Sequence, residues 1–323
     1  MKILITGAAG FIGFHLAKAL LSRSKNKVIG IDNYDNYYSV KLKKLRTAYL
    51  KKYKNYKFIK VDLSDFKKLK NSLKTEKIDI VYHFAAQAGV RFTLENPDKY
   101  FNSNFIGTLN IFEIIKFIKI PKCFFASSSS VYGDQKKYPL KENFELNEKN
   151  IYALTKKMNE ECAKNYSELI NSKFICLRFF TVFGEWGRPD MLIFKYLKKY
   201  YDNKVFILNE GGNHLRDFTY IKDVINLLVK LKSYKFKNKY QTYNICSNKP
   251  KKIKEVIKII NKKVVNKKYK IITIKKLKKI EAQKTHGSNK KILSLFPKFK
   301  FSNFEKSIND TIDGYIRNEI YKL

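Results

Sequence analysis

The run Tyr152-Ala-Leu-Thr-Lys156 sets a phenol and an ammonium one helical turn apart, on the same face of any helix that contains them. A lysine cation beside a tyrosine favours the phenolate, which turns an ordinary phenol into a usable proton acceptor. This spacing also arises by chance in helices rich in tyrosine and lysine, so its setting matters. About 20 residues earlier stands the run Ser127-Ser128-Ser129-Ser130, closing the apolar stretch 122–127. A strand ending there brings hydroxyls to the carboxyl edge of a sheet, where open α/β sheets bind their ligands. A plain strand-end turn is the alternative for any one of these serines.

A second group could hold a nucleotide. Gly7-Ala-Ala-Gly10-Phe11-Ile12-Gly13 follows an apolar run and opens an amphipathic one, the setting of a dinucleotide-binding turn. Gly7 allows the tight turn, Gly10 the approach of a pyrophosphate, and Gly13 close packing of helix on strand. The pyrophosphate then lies at a helix N-terminus, whose free N–H groups and dipole favour an anion. The spacing is GxxGxxG rather than GxGxxG, so an ordinary glycine-rich turn competes with this reading. Asp32, 19 residues after Gly13, supplies a carboxylate for the adenosine ribose hydroxyls. Its charge would repel a 2′-phosphate, so NAD is expected rather than NADP. Asn33, then Asp62 and Leu63 after the third apolar run, then Phe84, Ala85 and Ala86 after the fourth, complete the cofactor-facing set. A helix N-cap is the alternative role for Asp62.

These residues need a frame. Short runs rich in Val, Ile and Phe at 2–6, 27–32, 56–61, 78–84, 122–127 and 173–179 alternate with helix-length segments at 11–23, about 65–75, 97–119 and 151–170. Near-continuous apolar strands alternating with helices predict an α/β fold with a doubly wound parallel sheet buried on both faces. After about residue 180 the rhythm loosens at Gly184, Gly187, Pro189 and Gly211-Gly212, and the segment 249–300 holds one helix pattern (253–263) and one candidate strand (270–274). We therefore expect a Rossmann NAD-binding domain of 1–180 plus about 216–247, and a smaller, discontinuous substrate domain of 181–215 plus about 248–323.

Composition excludes several classes. The 323 residues are 44% hydrophobic and 15% aromatic, enough for a buried core and against charge-driven disorder. The formal charge of +39 suggests nucleic acid, yet only seven of the 67 basic residues are arginine, the side chain that reads phosphate and guanine bidentately. The lysines run along most of the chain, with 19 of them in 249–300, and read as the bias of an AT-rich genome, so nucleic acid is not expected as a partner. Cys123, Cys162, Cys176 and Cys246 lack CxxC spacing, and His15, His83, His214 and His286 lack metal-ligand spacing. Neither a metal nor a disulfide frame is expected, and a reducing, cytoplasmic location is. No run of 18 apolar residues exists to span a membrane, and the apolar N-terminus, which imitates a signal peptide, is read as the first strand and turn.

With these elements in order, the chain resembles the extended short-chain dehydrogenase/reductase family, in particular its nucleotide-sugar 4-epimerases and, among them, those acting on UDP-glucuronate. The segments TGAAGFIGFHLA, GIDNYDNYY, HFAAQAGVRFTLENP, ASSSSVYG, YALTKK, LRFFTVFGEWGRPDM and RDFTYIKD carry the resemblance, which weakens after about residue 250. It implies conversion of UDP-glucuronate to UDP-galacturonate by reversible oxidation at C4 through a 4-keto sugar, with NAD as cofactor. By the same resemblance Tyr152 exchanges the 4-hydroxyl proton, Lys156 tunes it and holds the nicotinamide ribose, and Ser128 bonds the reacting oxygen. Phe179 and Asn104 lie at the cofactor. Dehydratases of the family carry an Asp-Glu pair in the serine run and decarboxylases a Glu where Ser130 stands here, so neither elimination nor decarboxylation is implied.

For the substrate the resemblance implies Ser127, Ser129, Thr181, Arg188 and Arg91 around the sugar, with Arg216 clamping the pyrophosphate of UDP. Glu281 stands where relatives carry a Pro-Gly-Asp turn at the uridine ribose. Arg188 could instead brace its Gly/Pro loop, and Arg91 could pair with Glu95. A homodimer through the apolar faces of 97–119 and 151–170 is also implied, with plain core burial as the alternative. Two other functions compete: 4-epimerisation of a neutral or N-acetylated UDP-hexose, and an NAD-binding regulator that uses its basic surface on nucleic acid.

Overall fold

A computed structural model describes residues 1–22, 25–89, 95–264, 271–274 and 282–322. Seven strands form one sheet: β1 (Lys2–Thr6), β2 (Lys27–Asp32), β3 (Tyr56–Lys60), β4 (Ile80–His83), β5 (Lys122–Ser128), β6 (Lys173–Phe179) and β7 (Tyr240–Ile245). Their order across the sheet is β7-β6-β5-β4-β1-β2-β3, and the neighbours among β1 to β6 pair in parallel. This is the doubly wound order, with its switch point between β1 and β4. The sheet ends in register, Thr6 opposite Ile31 and His83, and Ser128 opposite Phe179, so the predicted chemistry collects at one edge.

Helices α1 (Phe11–Ser22), α2 (Val40–Lys51), α3 (Phe66–Leu73), α4 (Pro97–Tyr100), α5 (Gly107–Phe117) and α6 (Ile151–Leu169) lie between the strands in sequence. One face of the sheet packs Leu4, Val81, Cys123 and Phe125 against Leu69, Ile111, Phe112 and Ile115, all essentially without solvent contact. Each such side chain contributes about 1.5–3 kcal/mol on burial.

Three expectations change here. The segment 97–119 is not one helix: a π turn at Phe101–Ile106 separates α4 from α5, with the Gly107 N–H reaching back five residues to the Asn102 carbonyl. Helix α2, absent from the sequence reading, buries Arg46 where an apolar residue would mark the pattern. A seventh strand, β7, extends the sheet beyond β6. The apolar residues Ile111, Phe112, Ile114 and Ile115 of α5 pack into the chain's own core.

The chain groups into two units. The first comprises Met1–Gly133, Phe144–Phe179 and Ile225–Tyr243; the second comprises Asp134–Asn143, Phe180–Val224 and Asn244–Leu323. In the first, Lys122 donates to the carbonyls of Lys232 and Tyr234 and so caps the end of the helix Ile221–Ser233, while Lys173 donates to the carbonyl of Phe236 in the segment that follows. The second contains the parallel pairs 181–183 with 218–220 and 206–209 with 271–274, and an aromatic core in which Phe183, Phe218 and Phe304 meet edge to face or tilted. Among the described residues no helix is long and apolar enough to cross a membrane.

Candidate active site

The glycine-rich turn runs from β1 into α1. Gly7 has φ +69°, and a Cβ there would stand 2.7 Å from the Ala85 N, inside the backbone that follows β4. A Cβ on Gly13 would collide with the Gly7 carbonyl, and one on Gly10 would stand 2.9 Å from the same oxygen. These absences leave a cradle of bare backbone at the N-terminus of α1, suited to a pyrophosphate. Phe11 and Ile12 open that helix, Phe11 packing its ring edge-on to His15.

At the end of β2, Asp32 accepts the N–H of Ala9 (3.1 Å) and of Tyr34 (2.9 Å), which fixes its carboxylate beside the turn. Burial raises its pKa, while those two N–H groups and the nearby Lys43 and Arg46 act downward. Lys43 and Arg46 were not singled out from sequence; their spacing on one face of α2 was the available signal. Arg46, fully buried, donates to the Ala9 carbonyl at 2.9 Å. Asn33 donates to Asp62 at 2.8 Å, and Asp62 also accepts from Ser64, which together lower its pKa despite partial burial. The N-cap of α3 is Asp65, so the alternative role of Asp62 falls to its neighbour. Leu63 is buried, with its Cβ facing Gly107. The glycine cradle and the placement of Asp32 fit a bound NAD.

The loop after β4, with Phe84, Ala85 and Ala86, is tied down twice. The Ala85 N–H donates to Thr6 Oγ1, and the Gln87 N–H to Asn104 Oδ1 at 2.6 Å. Asn104 sits inside the π turn, wholly buried, and its amide donates to the Gln87 carbonyl and to Thr155 of α6. It thus joins the loop to α6. His83 lies between Thr6 and Thr108, and burial, aided by Lys156, pulls its pKa to about 3, so it is neutral. Phe84 and Phe179 meet edge to face at 5.7 Å across β5.

Asn150 caps α6 by accepting the Ala153 N–H, which sets Tyr152 in the first turn. The ring of Tyr152 packs edge-on to that of Tyr100 at 6.5 Å, and the Lys156 ammonium lies 5.9 Å from the Tyr152 ring centre. Lys156 is buried and donates to the Ala126 carbonyl at 2.8 Å. Burial lowers its pKa to about 8, against upward pulls from Cys176 and Glu160. Ser128 ends β5; its Oγ donates to Ser130 Oγ at 3.1 Å and accepts the Ser130 N–H, opening the tight turn Ser129–Tyr132. Ser127 departs from expectation: its hydroxyl is buried and donates to Glu160, so it is committed to the protein interior. Sequence reading missed Glu160 and Arg178, although Glu160 stands one turn beyond Lys156 and Arg178 directly before Phe179.

In the second unit Thr181 begins the strand 181–183, its N–H donating to the Asp217 carbonyl at 3.1 Å. Arg188 makes a two-pronged pair with Asp190, which is the loop brace weighed as its alternative. Arg216 donates to the carbonyls of Leu215 (2.9 Å) and Gln283 (3.2 Å). Next to it Asp217, buried, accepts from Ser247 and from the Gly287 N–H, and burial raises its pKa to about 6 against those bonds. Arg91 and Glu281 lie outside the described residues.

Residues 3–246 match the model of the "NAD dependent epimerase/dehydratase family". The chain is 47% identical over 271 residues to an uncharacterised protein of Methanocaldococcus jannaschii, covering 83% of this chain and 82% of that protein. It is 39% identical over 262 residues to a UDP-glucuronate 4-epimerase of Thermodesulfobacterium geofontis, covering 80% and 79%. A crystal structure of UDP-glucuronic acid 4-epimerase from Bacillus cereus, in complex with UDP-glucuronic acid and NAD, superposes with a TM-score of 0.90 at 30% identity, over 98% of this chain and 100% of that one. The chain belongs to the NAD-dependent epimerase/dehydratase family.

Proposed function

We propose that this protein interconverts UDP-glucuronate and UDP-galacturonate by NAD-dependent epimerisation at C4. The observation that carries the reading is the placement of Tyr152 and Lys156 in the first turns of α6, with Ser128 at the end of β5 and the glycine cradle at the same sheet edge. The likeness to the Bacillus cereus and Thermodesulfobacterium geofontis enzymes supports it. NAD, when bound, supplies a hydride acceptor and donor for C4. Tyr152 takes the 4-hydroxyl proton as C4 is oxidised and returns it when the opposite face is reduced. Lys156, held by the Ala126 carbonyl, keeps a positive charge beside the phenol and favours its ionised form. Ser128 offers a hydroxyl to the sugar oxygen at C4. The run Ser127–Ser130 contains no carboxylic acid, so elimination and decarboxylation lack an acid–base catalyst there.

The first unit is the one we assign to NAD and the second to the nucleotide sugar, with Thr181, Arg188 and Arg216 as its contacts. A homodimer and a cytoplasmic location are part of the same reading, supported by family resemblance and by four free cysteines. A second reading, 4-epimerisation of a neutral or N-acetylated UDP-hexose, is favoured by Asp190 occupying both prongs of Arg188. Incubating purified protein with UDP-glucuronate and resolving the products decides the matter; absence of UDP-galacturonate with NAD present sinks the reading. Parallel incubations with UDP-glucose and UDP-N-acetylglucosamine decide between the two substrates, and Arg188→Ala should harm only the acidic one.

A further inference from the structure

We propose that Glu160 is a positioning residue of the catalytic site, which with Arg178 forms a buried bracket that aligns β5, α6 and β6 and holds a negative charge near the Lys156 ammonium. Arg178 grips Glu160 with two prongs, Nε to Oε1 at 3.0 Å and Nη2 to Oε2 at 2.6 Å. Its remaining prong, Nη1, donates to the Tyr132 hydroxyl at 2.9 Å, with the guanidinium 4.8 Å from the centre of that ring. The Ser127 hydroxyl donates to the same Glu160 Oε1. All four side chains are buried.

Each member adjoins a residue of the proposed chemistry. Ser127 precedes Ser128, Arg178 precedes Phe179, Tyr132 closes the turn that Ser128 opens, and Glu160 stands one helical turn after Lys156. A buried ion pair contributes little net stability, because removing two charges from water offsets their attraction, whereas losing one partner is costly. Its weight here lies in geometry: a forked guanidinium and a carboxylate fix relative orientation as apolar packing does not.

The groups facing Lys156 come from each neighbouring element: His83 from β4, the Ala126 carbonyl from β5, Cys176 from β6, and Tyr152 and Glu160 from α6 itself. His83 is neutral, and burial holds the Cys176 thiol in its neutral form well above its ordinary pKa. Glu160 is therefore the negative charge acting on Lys156, and Glu160→Gln would remove it.

The proposal rests on the epimerase reading for its catalytic consequence, but its electrostatic core is tested without substrate. Lys156 has a folded-state pKa below its unfolded value of about 10.4, so folding disfavours its charged form and this penalty lessens as pH rises through the folded pKa. In Glu160→Gln the folded pKa drops further, by about one unit. The Tm deficit of Glu160→Gln relative to wild type should therefore be larger at pH 6, below both folded pKa values, than at pH 9, shrinking by roughly 2 °C across that interval. In a Lys156→Met background the deficit should not change with pH. A deficit that is constant in the first comparison, or equally pH-dependent in the second, overturns the proposal. In the epimerase assay, Glu160→Gln should move the alkaline limb of the kcat profile downward by about one pH unit, and Glu160→Asp should restore it in part; a uniform drop in kcat with an unmoved limb also counts against it. Wild-type protein that turns over no UDP-sugar defeats the epimerase reading and leaves the melting comparison to decide the bracket.

Discussion

Among single residues, Tyr152 carries the most chemistry in the proposed reaction. Removing its hydroxyl would delete the proposed proton acceptor while leaving the ring packed against Tyr100. Tyr152→Phe should lower turnover of UDP-glucuronate by about 10²–10⁴-fold, as expected for loss of a general base, with NAD affinity by calorimetry near that of wild type. Retention of a tenth or more of the activity would transfer the role of base to another group. The pairing of Tyr152 with Lys156 was legible because Tyr and Lys four apart need only a helix to meet, and a helix is a local event. What Ser127 does was not legible. Four adjacent serines look alike in sequence, and only the partner across the core, Glu160, distinguishes the one that faces inward.

The elements that hold these residues were readable where their pattern is uniform. Strands β1, β2, β5 and β6 emerged close to their sequence limits because buried parallel strands are almost wholly apolar. Helix α2 escaped because Arg46 occupies a core position, and its charge breaks the apolar stripe on which recognition depends. The π turn escaped because one extra residue per turn leaves no compositional mark, yet it turns Asn104 inward to bridge the loop after β4 and α6. Asn104→Ala would strand the buried Gln87 N–H, so a loss of about 1–3 kcal/mol in urea unfolding is expected. Weakened NAD binding should accompany it as the 84–87 loop loosens. Unchanged stability and affinity together would show that the bridge is dispensable.

Across the whole molecule, the charge of +39 is the dominant electrostatic fact. A positive field attracts anionic nucleotides and accelerates their encounter, an effect that salt screens. The KM for UDP-glucuronate should rise several-fold between about 50 and about 300 mM salt while kcat holds steady. A KM indifferent to salt would mean that the lysines do no steering. Some of them have local duties instead, as Lys122 and Lys173 show by capping backbone carbonyls.

The sequence by itself determined the alternation of strands and helices, the glycine turn, Asp32 at the end of β2, and the Tyr-Lys pair, because each rests on contacts within a few residues or on the periodicity of one element. Tertiary structure alone decided that Ser127 serves Glu160, that Arg178 spans from β6 to Tyr132, that Arg188 grips Asp190 and that Asn104 joins a loop to a helix. Polar side chains have several potential partners of equal chemistry. Which one a buried group accepts is set by what folding places within about 3 Å of it, because leaving a group unpaired in the interior costs about 1–3 kcal/mol.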